Sequence, residues 1–151
     1  IYQQFGDKDA LYRAALSRYR EQAVTMLNNA LNTPNGGFSE ICDYFASLSA
    51  SQEQGDRRGC LASQAAIDRA QDDPQVADIV AEIMADLRAA FASAVAVGLA
   101  RGELRELPPD DLVEFLVGLQ RALATMMRTA TPADEIQRYS QVSLAMLARP
   151  D

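Results

Sequence analysis

Few residue types in this 151-residue chain can do chemistry, and their spacing confines what that chemistry is. Histidine is absent, which removes the commonest general base and the commonest metal ligand, and with them catalytic triads, HExxH zinc sites and Glu-x-x-His di-iron bundles. No metal, no cofactor and no enzymatic activity is expected. The two cysteines, Cys42 and Cys60, fall in different expected helices and are too few for a disulfide framework. They suit a reducing compartment, and burial as small hydrophobes accounts for them better than a thiol sensor does. The acidic pairs Asp72-Asp73 and Asp110-Asp111 precede or open helices, where carboxylates favour the N-terminal dipole, so capping explains them without metal or acid–base work. Gly36-Gly37 lies in a polar turn with no strand before it, and no phosphate-binding glycine loop occurs.

The elements that carry these residues are helical throughout. Asp7 can cap a helix running to about Asn29, stopped by the polar turn NTPNGG. Phe38, Ile41, Phe45 and Leu48 form one stripe on a second helix, closed by SASQEQGDRRG. A third runs from Gly59 or Cys60 to about Gln71, and Pro74 suits the first turn of a long fourth helix ending around Arg101-Gly102. That fourth helix has the strongest periodicity, with Val76, Val80, Ile83, Leu87, Phe91 and Val95 on one stripe and Asp78, Glu82 and Asp86 opposite. A fifth starts at Pro108-Pro109 and Asp110, and its apolar face of Leu112, Phe115, Leu116, Leu119, Leu123 and Met126 spreads to Val113, Val117 and Met127. A helix apolar on more than one side is buried on more than one side. Thr131-Pro132 opens the last, which runs to about Leu147. The fold class expected is all-α, a bundle of about six helices.

Composition sets the outer limits. Hydrophobic residues are 48% and charged residues 23%, with only 8 Gly and 6 Pro, which describes a chain that folds as one domain. Lys and Arg number 14 against 21 Asp and Glu, a net charge of -7, and an acidic body is a poor general nucleic-acid binder. Any contact with DNA has to be made by another segment. No run of about 18 apolar residues and no basic-then-apolar leader occurs, so no membrane partner is expected and a soluble, cytoplasmic protein is.

The opening IYQQFGDKDALYRAAL resembles the end of the DNA-binding region in the tetracycline-repressor (TetR) family, where a recognition helix ends in an aromatic-rich pattern, turns at a glycine and lysine, and enters an alanine- and leucine-rich helix. Ile1, Tyr2, Phe5, Gly6, Lys8, Leu11 and Leu16 carry the match. RRGCLASQAAI resembles the segment leading into that family's sixth helix, and GLARGELR resembles the end of its seventh. Most of the family's helix-turn-helix unit is not in the sequence, and there is no initiator Met. The chain is expected to be a piece of a longer polypeptide, with residues 1–6 the remnant of the reading head and 7–151 the ligand-binding and dimerisation domain.

The resemblance implies a ligand-responsive transcriptional regulator, a repressor released from operator DNA by a small apolar or aromatic effector. Tyr2, Gln3 and Lys8 would contact DNA, while Phe5 would pack the reading head on the body. Candidate ligand contacts are Phe38, Ile41, Phe45, Met84, Leu87, Phe91, Leu119 and Met126; individually each is also ordinary core. Arg88 and Arg121 would anchor an anionic group only by pointing inward. The last two helices would pair with a twofold mate, through Leu112, Phe115, Leu116, Leu119, Leu123, Met127, Tyr139 and Met146, to make a homodimer. The alternative is a constitutive all-α dimerisation or adaptor module with a filled core and no ligand pocket.

Overall fold

A computed structural model describes residues 6–53 and 60–150, and within them the chain forms six helices and no strand. Asp7 lies in extended backbone and its Oδ1 accepts a hydrogen bond from Ala10 N–H (2.6 Å), which starts α1 at Lys8–Leu31. After the turn at Thr33–Gly37 come α2, Phe38–Glu53, and α3, Leu61–Asp68. Asp73 caps α4, Pro74–Ala100, by accepting from Gln75 N–H (3.0 Å) and Val76 N–H (3.3 Å), as a carboxylate before a proline-led helix should. Then follow α5, Pro109–Arg128, with Asp110 and Asp111 in its first turn, and α6, Ala133–Ala145. The element order matches the sequence-based expectation. The third helix is shorter than expected, ending at Asp68 with turns at Arg69 to Asp72 rather than at about Gln71.

The long helix α4 is the hub, packing against α1, α2, α3 and α5, while α6 lies on α2 and α5. Its buried stripe reads Val76, Val80, Ile83, Leu87, Ala90, Phe91, Ala94, Val95 and Gly98. An 18-residue window of α4 has a mean hydropathy of 1.6, so by length and composition this helix does reach the range of a membrane span, contrary to the sequence-based expectation. Alanines between the larger side chains raise that mean, and the large side chains themselves are spent on the bundle interior.

Two apolar clusters result. The main one joins Leu27 and Leu31 of α1 to Ile41, Tyr44 and Phe45 of α2, the C-terminal half of α4, and the inner faces of α5 and α6. The smaller one, Leu16, Ala62, Ala65, Val76, Val80 and Ile83, holds the N-terminal half of α1 on α3 and α4. Ion pairs bracket that smaller cluster: Arg13 with Asp73 (2.9 Å), Arg20 with Asp86 (2.7 Å) and Glu82, and Arg69 with Asp9 (2.6 Å). The Arg69 guanidinium also lies 4.7 Å over the Tyr12 ring.

The α4–α5 connector is pinned at three points. Gly102 adopts φ +70, a left-handed conformation that a side chain would resist, and this lets Glu103 N–H close back on Gly98 O (2.9 Å). Glu103 Oε2 then accepts from Phe38 N–H (2.9 Å), tying the start of α2 to the connector. Arg105 N–H donates to Leu147 O (2.9 Å) and Arg149 N–H to Glu103 O (3.0 Å), so the segment after α6 is fastened to the same place.

Asp73 gives the fold a pH signature. Partial burial raises its pKa, but Arg13 and the Val76 and Gln75 amides outweigh that and hold it below the ordinary 3.8. Stability from this carboxylate is therefore present above the unfolded-state value and is lost as pH falls through the lower folded-state value. Asp73→Asn keeps a capping oxygen and removes the charge. In acid titrations by circular dichroism, the variant should lose stability less steeply than the parent between about pH 5 and pH 3, and an identical slope would exclude the Arg13 pair as the cause.

Candidate functional site

At the centre of the main cluster, Phe45 and Phe91 are fully buried and stack with centroids 5.7 Å apart and planes 3° from parallel. Tyr44 stands edge-on to both, at 5.3 Å and 5.8 Å. Helical spacing brings these rings together: Phe45 faces inward from α2, and Phe91 occupies the matching turn of α4. Ile41, Leu87 and Leu119 are buried in the same cluster, and Met126 packs on its margin. Seven of the eight sequence-based ligand candidates thus share one cluster, Phe38 and Met126 as partly buried residues at its margin. Met84 does not, because it packs against the smaller cluster, and Phe38 lies at the rim, half-buried beside a groove between α2 and α6.

Tyr44 was not singled out from the sequence, although it is 95% buried at the heart of the aromatic group. Its position one residue from Phe45 was the available signal, obscured because a tyrosine between Asp43 and Phe45 reads equally well as a boundary residue. Burial, with Cys60 adding to it, pushes the Tyr44 phenol far above its usual value, and Tyr19 is raised for the same reasons in the same order. Tyr19 Oη donates to Cys60 Sγ at 3.6 Å. Both phenols are therefore neutral hydrogen-bonding groups rather than acids at ordinary pH. Burial also raises the Cys42 thiol, which keeps it protonated and a poor nucleophile. The two cysteines are half-buried and packed on different clusters, Cys42 on the main one and Cys60 on the smaller.

The arginines considered as anion anchors point away from this centre. Arg88 forms a two-pronged pair with Glu114 on the surface of α4 and α5, its second bond 3.3 Å long, and Arg121 is exposed. Among the described residues the aromatic centre holds no charged side chain, so its character is that of apolar and aromatic packing around one phenol.

At the other end, Lys8 is exposed on the first residue of α1. Tyr2, Gln3 and Phe5 lie outside the described residues, as do Arg57, Arg58 and Gly59 of the RRGC segment. From Lys8 the helix runs unbroken for 24 residues, about 36 Å, to Leu31 in the main cluster.

The placement of α5 redraws the expected self-association surface. Leu112, Leu116, Leu119, Leu123 and Met127 are all buried inside the protomer, at 5% exposure or less, and have no surface to offer a second copy. The reason is that α5 touches α2, α3, α4 and α6, so its wide apolar arc is consumed within one chain. What remains outside is Phe115 on α5 and Tyr139, Val142 and Met146 on and just after α6, with exposures of 41%, 47%, 58% and 63%. Val142 was not among the residues expected at the interface; the inward residues of α6 are Ile136, Ser140, Ser143 and Leu144.

Comparison with known proteins places this geometry. Residues 37–142 match a family model described as "Tetracyclin repressor-like, C-terminal domain". Among solved structures, a TetR transcriptional regulator from Chloroflexus aurantiacus J-10-fl is similar in fold, with a TM-score of 0.80 at 19% sequence identity, over 100% of this chain and 79% of that one. No curated protein sequence matches.

Proposed function

Because the chain belongs to the tetracycline-repressor-like family through its C-terminal domain, we propose that this transcriptional regulator is a repressor released from operator DNA by a small, largely apolar or aromatic effector. The match of residues 37–142 carries the reading. Residues 1–6 would be the end of a helix-turn-helix reading head and 7–151 the ligand-binding and dimerisation domain. Lys8, at the exposed start of α1, would meet a backbone phosphate, with Tyr2 and Gln3 beside it. Such a protein acts in the cytoplasm, as a homodimer, and needs no catalytic group, metal or cofactor.

The proposed transmission follows from α1. Its inner end lies against the aromatic centre and its outer end leads to the reading head, so separating Phe45 from Phe91 would displace one lever. Half-sites lie about one helical turn, roughly 34–36 Å, apart, and a shift of a few Å in two linked heads lowers operator affinity. One observation favours the second reading, a constitutive dimerisation module: Tyr44, Phe45 and Phe91 fill the centre against one another.

The two readings separate in one experiment. The natural protein containing these residues is tested by gel shift on its own upstream intergenic DNA, with a panel of aromatic compounds screened by thermal shift. Specific retention, and release by a compound that raises Tm, is expected. No retention on that DNA overturns the regulator reading, and retention that no stabilising compound changes favours the constitutive module.

A further inference from the structure

Between α2 and α6, at the margin of the main cluster, lies a groove of about 380 Å³ that is not lined by Tyr44, Phe45 or Phe91. Phe38, Cys42 and Ala46 line one side, and Leu144 and Ala145 the other, together with the buried Ser140. Ser49, at 5% exposure, lines it, and its Oγ is buried with no hydrogen-bond partner. A buried hydroxyl without a partner costs free energy that neighbouring packing does not return, and native proteins leave few of them. At the mouth, exposed Asp43 is the one charged side chain of the described lining, flanked by Gln137 and Gln141. The volume is in the range of small-molecule sites.

A hydroxyl acceptor or donor in the depth, an apolar slot, and a single carboxylate at the mouth describe a complementary molecule in three parts. We propose that the α2–α6 groove binds a small amine carrying an apolar body and a hydroxyl at its far end. The ammonium pairs with Asp43, the body lies along α2 over Ala46, and the hydroxyl exchanges a hydrogen bond with Ser49 Oγ, which lies six residues, about 9 Å, further along the helix. An acid of the same shape is excluded, because its carboxylate would meet Asp43 in a body of net charge -7. This assignment does not depend on the regulator reading, since of that reading's ligand candidates only Phe38 borders the groove and the binding needs no DNA.

Tyramine is a suitable probe, compared by calorimetry and amide NMR shifts with 2-phenylethylamine, 4-ethylphenol and 3-(4-hydroxyphenyl)propionate. Tyramine is expected to bind best and to move amides on α2 and α6; losing the hydroxyl or the amine should weaken binding roughly fivefold to twentyfold, and the acid should not bind. Ser49→Ala should weaken tyramine and leave 2-phenylethylamine unchanged, while Asp43→Asn, an exposed change that does not threaten folding, should weaken both amines. The proposal is overturned by absence of tyramine binding, by equal binding of the acid, or by shifts confined to the aromatic centre. It is equally overturned if both substitutions change self-association and leave tyramine binding untouched, which would make the groove a contact between copies.

Discussion

Phe91→Ala is expected to lower the unfolding free energy by about 3–5 kcal/mol. Phe91 has no exposed surface, stacks flat on Phe45 and receives the edge of Tyr44. Truncation therefore removes buried apolar area and two ring contacts, and leaves a void that α2 and α4 cannot close without shifting the rest of the hub. Urea denaturation followed by circular dichroism measures the loss. A decrease under about 1 kcal/mol would mean that the centre is loosely packed already. The variant also probes the site: an apolar void between Phe45 and Tyr44 should take up benzene and recover part of the lost Tm, whereas a centre that collapses on truncation should show no recovery.

A charge placed on the outward face of α6 should separate the proposed homodimer without unfolding the protomer. Val142 and Met146 are 58% and 63% exposed, one helical turn apart, with Tyr139 one turn earlier. Val142→Arg combined with Met146→Arg should weaken self-association by about a hundredfold or more, because two cations would be buried against two symmetry-related copies of themselves. Sedimentation equilibrium reads the change, and the helical circular dichroism signal should stay the same. Leu116→Arg is the contrast: it lies at 0% exposure inside the protomer, so it should unfold the chain rather than dissociate it. If the double variant self-associates like the parent, this face is not the interface.

These contrasts mark where reading residues in order stops being enough. Caps, helix starts and stripes were legible because they are local: Asp7 and Asp73 sit where a side-chain oxygen reaches an amide two or three residues on, and Pro74 leads the helix that periodicity outlines. The opening motif and the arginine–glycine–cysteine segment were enough to suggest the family that residues 37–142 then matched. The grouping of Ile41, Phe45, Leu87 and Phe91 was legible too, since residues on core-facing stripes of neighbouring helices tend to meet.

What depends on which helices are neighbours was not. The broad apolar arc of α5 has the same sequence pattern whether a second chain or the protomer's own α2, α3, α4 and α6 covers it, and only the packing assigns Leu112, Leu116, Leu119, Leu123 and Met127 to the inside. Likewise nothing in the order of residues puts Ser49 across a groove from Ser140 and Leu144, which are about ninety positions away. The sequence by itself determined the helices, their caps and the family, because hydrophobic period and capping act within a few residues of chain. The tertiary structure alone decided which apolar faces are spent internally, because burial is a property of neighbours distant in sequence, and a face has no direction until its partner helix is in place.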